Sequence, residues 1–60
     1  MAMSPEKFRD LFASLTAGTA EDAQNILNCA DILKLTEDQR SDVHTLKLAH
    51  QKTELRKQRR

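Results

Sequence analysis

The sequence predicts a small all-α fold, a three-helix domain that associates through helix–helix packing. Three observations carry this. Ala, Leu, Lys, Arg, Glu and Gln dominate the 60 residues, whereas one Val and two Ile are too few strand formers for a sheet. Apolar residues recur at helical spacing in three successive segments. The lone Pro and lone Gly stand where helices start and stop, not inside them.

The first helix is expected over about 4–17. Ser4 is a good N-cap, Pro5 suits the first helical position, and Glu6 places a negative charge at the positive end of the helix dipole. Met3 and Phe8 have the spacing of a hydrophobic staple. Phe8, Leu11, Phe12 and Leu15 follow i, i+3, i+4, i+7 and form one apolar stripe. Gly18 falls where a left-handed C-terminal cap belongs.

The second helix is expected over 19–35, capped by Thr19 with Glu21 and Asp22 in its first turn. Ala23, Ile26, Leu27, Ala30 and Leu33 share one broad face, and Cys29, Ile32 and Leu35 extend the apolar coverage. A helix apolar on several sides is normally the buried spine. Cys29 reads there as a small buried hydrophobe.

Thr36-Glu37-Asp38-Gln39 is a capping-box pattern, which predicts a third helix over 36–57 after a sharp corner. The alternative is one continuous helix from Thr19. Advancing 100° per residue, the third helix carries two stripes. Val43, Leu46, Ala49, His50 and Thr53 form the one expected to join the core. His44, Leu48, Gln51 and Leu55 form the other, and Leu48 and Leu55 stand one heptad apart. The second stripe reads either as a helix–helix seam or as ordinary surface leucines. Residues 1–57 make one helical domain, followed by a basic frayed tail at 58–60.

A chain this short buries only about 60% of its unfolded surface, so alone it is marginal. One Cys makes no internal disulfide, and one Cys with two His falls short of a structural zinc set. Sharing surface with another chain is the remaining source of stability. No segment is apolar enough to cross a membrane, the N-terminus lacks a signal-peptide core, and a lone thiol fits a reducing compartment, so a cytoplasmic location is expected. The carboxylates sit at helix starts and on polar faces, without a cleft to shift their pKa. No catalytic, cofactor or metal site is expected. His44 and His50, six residues apart, fall on different helix faces instead of the i, i+4 spacing of a metal pair.

The segment Ala30-Asp31-Ile32-Leu33-Lys34-Leu35-Thr36, followed by Val43, resembles the helix-turn-helix pattern over about 20 residues. The resemblance implies a DNA-reading second helix. Lys34 replaces the usual turn glycine and Arg40 a usual aliphatic residue. The would-be recognition helix also opens with Glu37 and Asp38, which DNA phosphates repel. The segment therefore reads as a helical corner without DNA-reading chemistry.

The formal net charge of +1 hides an asymmetry: residues 1–46 hold four basic and eight acidic groups, residues 47–60 six basic and one acidic. Lys47, Lys52, Arg56, Lys57, Arg59 and Arg60 suit nucleic-acid phosphates or an acidic protein surface, or simply cap and solubilise the helix end. No aromatic residue lies among them for base stacking. The leading expectation is a small non-enzymatic regulatory protein, of inhibitor, anti-repressor or adaptor type. It would bind a protein partner through helices and form a homo-oligomer. Ile32, Leu35, His44, Leu48, Gln51 and Leu55 are the expected contacts. The alternative is a DNA-binding transcriptional regulator using the degenerate corner and the basic tail.

Overall fold

The structure, a computed structural model, describes residues 2–58, with side chains through Lys57. It is all-helical among these residues: α1 Pro5–Thr16, α2 Ala20–Asn28, α3 Ala30–Leu33 and α4 Glu37–Gln58. The fold class agrees with the sequence, and two of the three expected helices keep their places within a residue or two.

α1 begins as its sequence dictates. The Ser4 hydroxyl accepts from the Lys7 N–H at 3.3 Å, and Pro5 opens the first turn. Its end departs from expectation. Ala17 provides the cap in a right-handed conformation, and Gly18 does not take positive φ. Glycine leaves room there for the Asp22 carboxylate. A Cβ on residue 18 would lie 2.5 Å from the Asp22 Oδ2 atom. That carboxylate accepts from the Thr19 N–H at 3.0 Å, while the Thr19 hydroxyl accepts from the Asp22 N–H. This reciprocal capping box starts α2.

The second helix is shorter than expected, because the chain breaks at Cys29. Asn28 and Cys29 are weak helix formers, and the Cys29 backbone leaves the helical region at φ −103, ψ 13. α3 restarts at once. Cys29 is exposed at this junction, which corrects its expected place in the core. Beyond the break Ala30 is buried, as expected, while Ile32 faces outward with 81% of its surface accessible.

α3 ends at Lys34, the only non-glycine residue with positive φ among the described residues (φ 59, ψ 45). The Leu35 N–H then reaches back to the Ala30 carbonyl at 3.1 Å, the six-to-one bond of a Schellman turn. Left-handed backbone costs an L-residue about 1–2 kcal/mol, of which glycine's extra chain entropy returns roughly half. Lys34→Gly is therefore expected to stabilise the chain by about 0.5–1 kcal/mol, read as a higher midpoint in urea unfolding.

The corner after Lys34 is closed by the expected capping box. The Gln39 Oε1 atom accepts from the Thr36 N–H and the Thr36 hydroxyl accepts from the Gln39 N–H, both at 3.0 Å. Gln39 does more than cap, since its amide Nε2 also donates to the Met3 carbonyl at 3.0 Å. The Met3 N–H donates to the Lys34 carbonyl at 2.8 Å. The N-terminal segment is thereby pinned across the corner.

α4 packs along α2 and, less extensively, against α1. The centre of the core is Leu15, Ala23 and Val43, one residue from each long helix, with Phe8, Leu11, Ile26, Leu27 and Leu46 against it. Phe12 lies at the margin, half-buried, its ring 5.6 Å from that of Phe8. α4 is about 33 Å long at 1.5 Å per residue, which accounts for most of the longest dimension of 46 Å.

Candidate functional site

α4 presents two faces of different chemistry, and the inward one explains how the outward one is left free. Gln39, Val43, Leu46, His50 and Glu54 run at spacings of four, three, four and four and turn toward the body. The expected core stripe was off by part of a turn toward its C-terminal end: Ala49 and Thr53 are exposed, and the Thr53 hydroxyl only donates to the Ala49 carbonyl of its own helix.

Past Leu46 the inward face is polar, and each polar group meets a helix terminus. His50 Nε2 lies 2.8 Å from the Leu15 carbonyl near the C-terminus of α1. A carbonyl only accepts, so this nitrogen carries the proton and donates. One turn further on, the Glu54 Oε2 atom accepts from the Ala20 N–H at 2.9 Å, at the N-terminus of α2. A donor thus meets the negative end of one helix and a carboxylate the positive end of the next. α4 clasps the α1–α2 turn by adding a second donor to the Leu15 carbonyl, which also accepts from the Gly18 N–H, and by pairing the Ala20 N–H. Sequence reasoning missed Glu54, whose partner is 34 residues upstream. The available signal was its place one turn beyond His50 on the Val43 and Leu46 stripe.

The opposite face holds the expected docking residues. His44, Leu48, Gln51 and Leu55 are all exposed; Leu48 keeps 49% and Leu55 63% of its surface accessible. Ser41 and Glu37 continue this stripe toward the start of α4. Beside it an open groove of about 440 Å³ is lined by Leu27, Glu37, Arg40, Ser41 and His44. Half-buried Leu27 supplies an apolar wall, so the apolar surface of the stripe continues onto α2.

Two expected contacts do not join this face. Leu35 is buried, with 7% accessible, because the left-handed turn at Lys34 swings it inward. Ile32 is highly exposed but lines a separate groove with Ala2, Met3, Ser4, Lys7, Leu33 and Lys34.

Of the basic residues, Lys52, Arg56 and Lys57 are exposed and Lys47 is half-buried; Arg59 and Arg60 lie outside the described residues. At the other end of α4, Glu37 and Asp38 are exposed, and Asp31 pairs with Arg40 at 3.4 Å on the surface. The helix that the helix-turn-helix resemblance would place on DNA therefore begins with exposed carboxylates. His44 and His50 point to different sides of α4. No helix among the described residues is long and apolar enough to cross a membrane. No protein-family model, curated protein or solved structure matches the chain.

Proposed function

We propose that the chain is a small non-enzymatic regulatory protein, of inhibitor, anti-repressor or adaptor type, which works by docking the outer stripe of α4 on another protein surface. The observation that carries this reading is the division of α4. Its core face is fully used by Val43, Leu46, His50 and Glu54, yet Leu48 and Leu55 remain a heptad apart and largely accessible. Covering these two leucines on the highly charged α4 would contribute about 1–2 kcal/mol each. The groove beside Leu27 would receive a side chain from the partner, and the charged rim would set its orientation.

The test is the paired variant Leu48→Asp with Leu55→Asp. It should keep a helical far-UV spectrum while association, followed by light scattering, is lost. Unchanged association would sink the reading. Salt dependence distinguishes the DNA-binding alternative. Apolar docking tolerates added salt, whereas binding to duplex DNA through Lys52, Arg56 and Lys57 would fall steeply.

A further inference from the structure

Resting on that reading, we infer that the occupant of the α4 stripe is a second copy of this chain, laid antiparallel. The argument is charge complementarity along one flank. Beside the stripe of Ser41, His44, Leu48, Gln51 and Leu55, one edge carries Asp38 and Asp42 near the start of α4 and Lys52 and Arg56 near its end, all exposed. An antiparallel partner brings its corresponding edge alongside in reverse order. With Leu48 of one copy beside His44 of the other, Asp38 lies across from the second copy's Lys52. Two-fold symmetry repeats the pair, so each dimer contains it twice.

A parallel arrangement loses these pairs. It sets Lys47 of one copy against Lys52 of the other across the seam and stacks both basic ends together. The helix dipoles add to the preference, because antiparallel helices place the positive start of each beside the negative end of the other. The two leucines supply adhesion, and the acid-to-base order along α4 supplies direction.

Sedimentation equilibrium on the full chain, from micromolar to millimolar concentration in low salt, tests this. The expected result is a mass rising toward twice that of the single chain. Asp38→Lys alone and Lys52→Asp alone should each weaken the dimer about tenfold, since each turns two attractive pairs repulsive. The double variant Asp38→Lys with Lys52→Asp should recover an affinity near that of the original chain. Circular dichroism on each variant shows whether the monomer fold is intact; these positions are exposed, so it should be. A chain that stays monomeric throughout overturns the inference. So does a dimer indifferent to the single reversals, or one that the double variant fails to restore. If the chain is monomeric but another protein still needs Leu48 and Leu55, the second copy is excluded while the docking face stands.

Discussion

Val43→Asp should abolish folding. Val43 is fully buried, between Leu15 of α1 and Ala23 of α2, and it is the largest side chain so enclosed among the described residues. Replacing it removes roughly 1.5–3 kcal/mol of apolar burial. It also leaves a carboxylate with no charged partner, which costs about 3–5 kcal/mol more. A chain of this length has a total stability of about 3–9 kcal/mol at typical values per residue. The loss therefore takes most or all of it. Far-UV circular dichroism should show a weakly helical chain with no cooperative melt at any temperature. Val43→Ala, which keeps the site apolar, should still fold with a lower midpoint. If Val43→Asp melts cooperatively, the core does not lie where the three long helices meet.

Gln39→Ala should produce the largest loss among the polar positions. The side chain accepts from the Thr36 N–H and donates to the Met3 carbonyl, and only 9% of the residue is accessible. Truncation leaves both backbone groups unpaired in a partly buried corner, a cost of about 2–4 kcal/mol for the pair. Chemical denaturation should register it as a lower midpoint at unchanged slope. Gln39→Glu separates the two roles, because a carboxylate still caps α4 but has no hydrogen to give Met3. In that variant α4 should keep its start, while the Met3 amide, bonded to the Lys34 carbonyl, loses its protection from hydrogen exchange. Equal protection in both proteins would show that Gln39 does not hold the N-terminal segment.

The parts of this fold that were legible in the sequence are those decided within one helical turn. Ser4 with Pro5, Thr19 with its acidic first turn, and Thr36 with Gln39 each satisfy N–H groups three residues away, so local spacing identified the starts of α1, α2 and α4. The break at Cys29 and the left-handed turn at Lys34 were not legible. Neither residue type demands its conformation; the burial of Ala30 and Leu35 does. One misplaced turn moved Leu35 from the expected docking set into the core. The inward polar stripe stayed hidden for a related reason. His50 was expected on the core stripe but with no partner in view, and Glu54 looks solvent-facing until the ends of α1 and α2 are brought to them. By contrast, the outward position of Leu48 and Leu55 was legible, because Val43 and Leu46 on the other side of the same helix already suffice for the core.

The separation of the two faces of α4 can be tested on the monomer alone. Thermal melts of Leu48→Asp with Leu55→Asp, monitored at 222 nm in a solution dilute enough to hold single chains, should overlay those of the unaltered protein. Both chains should be equally helical and melt cooperatively at the same midpoint. A double variant that loses its helicity or its sharp transition under those conditions would mean that the outer leucines hold this chain's own fold together, leaving no free face for a partner.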